Sequence, residues 1–70
     1  MRRFKVTIKT PDKSILKVNE TKIIYENTKF KAKTKAIRQY CDNDSRDIKM
    51  LNDLINNGMM EIKVENCFKN

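Results

Sequence analysis

The feature that most constrains this chain is a change of hydrophobic period along it. Near the start, Phe4, Val6 and Ile8 alternate with Arg3, Lys5, Thr7 and Lys9. Near the end, Met60, Ile62 and Val64 alternate with Glu61, Lys63 and Glu65. Such alternation puts apolar side chains on one face of a strand and polar ones on the other. Between these segments Ile48, Leu51, Leu54 and Ile55 fall at i, i+3, i+6 and i+7, an apolar stripe along one side of a helix. A sheet with one face in water and helices covering the other satisfies both periods at once. Seventy residues make a single domain, 1–70. A chain of that size buries only about 60% of its unfolded surface, so the core is small.

Local signals divide the chain further. Thr10-Pro11-Asp12-Lys13 reads as a turn, because proline presets φ for the first central position. Leu16 and Val18 resume the alternation around Lys17, which predicts a second strand and a β-hairpin. Asn19-Glu20-Thr21 reads as another turn, and Ile23-Ile24-Tyr25 as the core of a third strand. Residues 27–41 fit two periods. As a helix, capped by Asn27 or Thr28, they place Phe30, Ile37, Tyr40 and Cys41 on one face and Lys31, Lys35 and Arg38 opposite. As a strand, they align Lys29, Lys31, Lys33 and Lys35 on one side. The helical pattern is stronger downstream, and the start could extend strand three through Lys31.

Asp42-Asn43-Asp44-Ser45 interrupts, since short polar side chains bond the nearby backbone and favour caps. Asp44 or Ser45 caps the next helix, Asp47 suits the positive end of its dipole, and Gly58 ends it in a left-handed conformation. The expected fold is α+β: a small three- to four-stranded sheet in β-β-β-α-α-β order with two amphipathic helices on one face. The position of the last strand is open. One solution lays it parallel to the first, as in ubiquitin-like β-grasp domains. Cys67 and Phe68 would cover an edge.

Composition excludes several chemistries. The chain has no histidine, so it has no Ser–His–Asp or Cys–His arrangement and no imidazole metal ligand. A lone glycine cannot build a phosphate-cradling loop. Cys41 and Cys67 match neither zinc spacing nor a C-x-x-C motif. Asp42 to Asp53 departs from a calcium loop, with Arg46 at the fifth position and Asp47 where glycine is required. The expectation is no enzyme, no cofactor and no metal. With no signal peptide and no apolar run near ~20 residues, the chain reads as a cytoplasmic protein with reduced thiols. Lys, Asn and Ile, all with A/T-rich codons, number 12, 8 and 8. That usage points to an AT-rich source, such as a low-GC bacterium, its phage or another mobile element, and to the host cytoplasm if viral.

The net charge of +7 is unevenly placed: residues 1–35 carry +8 and residues 36–70 carry −1. Such asymmetry marks a surface suited to a polyanion. Two basic sets stand out. One is the hairpin face, Arg3, Lys5, Lys9 and Lys17, with Arg2, Lys13 and Lys22 near its ends. A ribbon or small sheet of this kind can enter the major groove. Equally, lysines on a solvated sheet face prevent edge-to-edge aggregation. The other set is Lys29, Lys31, Lys33, Lys35 and Arg38, with no acid among them. Lysine usage is high throughout, yet residues 36–48 contain none, so usage alone does not explain this cluster. Tyr25 and Tyr40 offer the only candidates for base stacking, because Phe4 and Phe30 fall on expected core faces. Met50 and Met59 lie off the apolar stripes and could form an adaptable protein contact.

The β-β-β-α opening, with Phe30-Lys31-Ala32-Lys33-Thr34-Lys35-Ala36 leading into a helix, resembles the arm-binding domains of phage-type integrases over about half the chain. The resemblance implies a three-stranded sheet set in the major groove. The second helix and final strand depart from it. Two functions follow from the whole reading. The first is a small nucleic-acid-binding module, for DNA before RNA, with the basic half on phosphates. The alternative is a small interaction protein, for example a phage-encoded inhibitor, which docks on an acidic protein surface, as a monomer or a dimer.

Overall fold

The computed structural model describes residues 1–67. Five elements follow in the order β1 (Arg2–Lys9), β2 (Asn19–Glu26), α1 (Lys29–Tyr40), α2 (Ser45–Asn56) and β3 (Glu61–Asn66). The fold is a small α+β unit with a three-stranded sheet in the order β2-β1-β3. β1 is central and antiparallel to both neighbours, so β2 and β3 run parallel to each other.

Three expectations are corrected. Leu16 and Val18 form no strand: β2 begins at Asn19, and the residues that read as a turn at 19–21 belong to it. The physical reason is that β1 pairs along its whole length with 19–26, so 14–18 fall outside the ladder. Residues 10–18 form a loop instead. At its base Thr10 N–H donates to the Val18 carbonyl at 2.9 Å and Val18 N–H donates to Thr10 Oγ1 at 3.0 Å. The element order is therefore β-β-α-α-β with three strands, and the resemblance to integrase arm-binding domains fails at its third strand. Nor does the last strand run parallel to the first. α1 carries the chain back along the sheet, α2 packs at the end where α1 stops, and β3 must start there, with Glu61 beside Lys9.

The core lies between the sheet and the helices in two clusters. Phe4, Val6 and Ile24 pack on Ala32 and Ala36 of α1. Ile8 packs with Ile37, Cys41, Leu51 and Met60 at the α2 end. Ala32 and Ala36 bring α1 close to the strands. Thr28 caps α1, accepting from Lys31 N–H at 3.2 Å. The acidic stretch before α2 is a cap and not a cation loop: Asp44 Oδ1 accepts from Arg46 N–H at 2.9 Å and Asp47 N–H at 3.2 Å. Gly58, at φ +80°, closes α2 as expected, with Gly58 N–H donating to the Ile55 carbonyl and Met59 N–H to that of Leu54. Phe68 lies outside the described residues.

Candidate nucleic-acid interface

The two basic sets fall on opposite faces of the sheet. Strand parity puts Phe4, Val6 and Ile8 against the helices, so Arg3, Lys5, Thr7 and Lys9 point to the open face. Register completes that face with Asn19, Thr21, Ile23 and Tyr25 from β2 and Glu61, Lys63 and Glu65 from β3. β3 thus sets acids beside the cations of β1. Lys9 Nζ lies 3.8 Å from Glu61 Oε1, and Lys63 Nζ lies 3.7 Å from Glu65 Oε2. Tyr25 and Ile23 are exposed here, and only Ile24 of the apolar trio is buried. Lys17 lies on the loop, its ammonium donating to the Asp12 carbonyl.

Residues 29–35 are helical, so their four lysines do not align with the basic residues of β1. Ala32, Ala36 and Ile37 fix the buried side of α1. On a 100° wheel, Lys31, Lys35 and Arg38 then face solvent together. Lys31, Lys35 and Arg38 are all exposed. Lys29 opens the helix at its exposed end, and Lys33 is half-buried beside the packed face, its stem covering apolar surface. Arg2 is exposed at the end of the sheet, opposite Glu26. Glu26 Oε2 lies 3.9 Å from Lys35 Nζ, and such a surface pair contributes little.

Phe30 corrects an expectation. The sequence pattern assigns it to the core, yet it is 75% exposed. It shares a stripe with Ile37 and Cys41, but α2 covers only the downstream part of that stripe. Phe30 therefore stands among Lys31, Thr34, Lys35 and Arg38, which together with Glu26 line a shallow depression beside it. On its other side a groove of about 270 Å³ runs between α1 and α2 past Lys33, Ile48 and Asn52. An aromatic ring set among cations is the arrangement that sequence reasoning missed. The signal was available: Ala32 and Ala36, not Phe30, are the residues that let a helix approach a sheet closely.

The other candidates separate. Tyr40 is half-buried and lines an apolar groove with Met50. Met50 and Met59 are both exposed, but Met59 lies outside that lining. Cys41 and Cys67 are free thiols. Cys41 packs by Ile8, while Cys67 N–H donates to the Arg3 carbonyl, about 17 Å away along β1. Burial, then the carboxylates of Asp47, Asp44 and Asp42, push the Cys41 thiol above its ordinary value of 9.0, which disfavours the thiolate. No helix among the described residues is long and apolar enough to cross a membrane. No family model, curated protein or solved structure matches the chain.

Proposed function

We propose that the chain is a small nucleic-acid-binding module that meets duplex DNA through the solvent face of α1. One observation carries the reading: Lys31, Lys35 and Arg38 share the outer side of a helix with five cations and no acid, around an exposed Phe30. α1 is about 18 Å long, and a helix of this kind fits the major groove. There the lysines contact phosphates, Arg38 has the fork that reads guanine, and Phe30 offers an apolar contact for a thymine methyl. Lys29 adds charge at the exposed end. The sheet face, with Arg3, Lys5 and Lys9 beside the acids of β3, is the weaker surface.

Fluorescence anisotropy against duplex DNA, single-stranded DNA and RNA tests this. Three phosphate contacts weaken duplex binding roughly 40-fold between about 50 and about 200 mM salt. Charge reversal at Lys31, Lys35 and Arg38 should abolish binding, whereas reversal at Lys5 and Lys9 should leave most of it. No binding at low salt, or loss only with the β1 variants, sinks the reading.

A second reading rests on a different observation. The groove that Met50 lines is flanked by exposed Leu16. A small non-enzymatic interaction protein would use such a surface to hold a protein partner.

A further inference from the structure

The groove lies between the β1–β2 loop and α2 and has a volume of about 340 Å³. Its floor is Leu51, Leu54 and Met60, and Met50 and Leu16 stand at its sides. Asp47 lines it as well, and Asp42 and Asp44 follow Cys41 of its wall, with Asp44 N–H donating to the Cys41 carbonyl at 3.0 Å. The groove is thus an apolar trough with an acidic rim. The occupant that fits is an apolar knob flanked by cations.

This chain carries that knob beside the groove. Lys13-Ser14-Ile15-Leu16-Lys17 forms the tip of the β1–β2 loop. Ile15 is 97% exposed and Leu16 76%, and both flanking lysines are exposed. Ile15 is not part of the lining of its own groove. Ile15, Leu16 and Met50 thus expose apolar surface together around the groove, and a patch of apolar surface marks an interaction site.

We infer that the chain self-associates, the loop tip of one copy seating Ile15 in the groove of a second copy, with Lys13 and Lys17 against its Asp42, Asp44 and Asp47. Knob and trough sit at one end of the molecule, so a two-fold axis can satisfy both at once and close the assembly as a dimer. The basic face of α1 begins at the other end of the sheet and stays free. The inference shares with the second reading above the premise that the groove holds protein, and it names the partner. It does not rest on nucleic-acid binding.

Sedimentation equilibrium of the full chain, without nucleic acid, from about 10 µM to about 1 mM decides it. A monomer–dimer equilibrium is expected. Ile15→Glu should weaken it by about tenfold or more, since a carboxylate would enter an apolar, acid-rimmed trough. Lys13→Glu with Lys17→Glu should weaken it as well. Phe30→Glu, on the α1 face, should leave it intact. All these side chains are exposed, and circular dichroism checks that each variant keeps its fold. A monomer throughout the range overturns the inference. So does a dimer indifferent to Ile15→Glu, or one that Phe30→Glu breaks. Anisotropy on the Ile15→Glu variant reports separately on the nucleic-acid reading, because its α1 face is unchanged.

Discussion

The two helices have the same length, 12 residues each, and opposite designs. α2 uses the acids at its start for its own stability, against a single cation, Arg46, in its first turn. Asp44 accepts from two of its free amides, and Asp47 sits in its first turn, where a negative charge meets the positive end of the helix dipole. α1 sets Lys29 and Lys31 in its first turn, with no acid there. Those cations oppose the dipole, and Lys31 repels Lys35 one turn on. Only Arg38, in the last turn, is placed as a helix would place it. The apolar sides differ too. α1 lies close to the strands on Ala32 and Ala36, whereas α2 reaches the core with one buried side chain, Leu51. Charge that costs a helix stability is charge kept for something outside the helix.

The packing side of this contrast gives the largest expected effects. Leu51→Ala should lose about 2–5 kcal/mol in urea denaturation. A chain of this length has roughly 3.5–10 kcal/mol in total, so α2 would come close to detaching. Ala36→Leu should cost about 1–3 kcal/mol by overpacking, because α1 has no room for a larger side chain against Phe4 and Val6. If Ala36→Leu were neutral, the close approach of α1 would not be what its alanines provide.

The charge side gives a smaller effect of opposite sign. Lys29→Glu and Lys31→Glu should each stabilise by about 0.3–1 kcal/mol at low salt, and the second substitution would also create an ion pair with Lys35 at i+4. Together they should raise the melting temperature by several degrees, since ~1 kcal/mol is worth about 4–8 °C at this size. The same pair should weaken duplex DNA binding. Asp47→Lys in α2 should lower the melting temperature. A double lysine variant that melts lower than the parent would show that those ammonium groups serve the fold, and the case for the α1 face would go with it.

The elements that were legible in the sequence are those fixed by local chemistry. Phe4, Val6 and Ile8 announce β1, Asp44 and Gly58 bracket α2, and Thr28 caps α1. What was not legible depended on partners. Leu16 and Val18 alternate as strand residues do, but the ladder with β1 is filled by 19–26. The lysines at 29, 31, 33 and 35 suit a strand's parity and a helix's wheel equally. Packing decided between them, through Ala32 and Ala36 on the far side of the same segment. Phe30 escaped the pattern for the same reason, since its stripe is apolar but its cover ends short of it. Strand parity also predicted an open face rich in cations, and the register of β3 then set Glu61 and Glu65 beside them.

The smallest effect tests where the two helices meet. Cys41 is the C-cap of α1, and it packs near Leu51 of α2. Burial raises its thiol above the ordinary 9.0, and the carboxylates of Asp47, Asp44 and Asp42 raise it further. The folded chain therefore keeps this proton where the unfolded chain releases it. The stability contributed by the neutral thiol is fully present below pH 9.0 and is lost as the pH rises through the raised folded value. The comparison is with Cys41→Ala. Urea midpoints from about pH 8 to about pH 10 should fall more steeply for the parent than for that variant. Asp47→Asn should narrow the difference, because it removes the strongest of the three carboxylate influences. Parallel curves would mean that the acidic start of α2 does not reach the end of α1. The charges of the two helices would then act on separate neighbours.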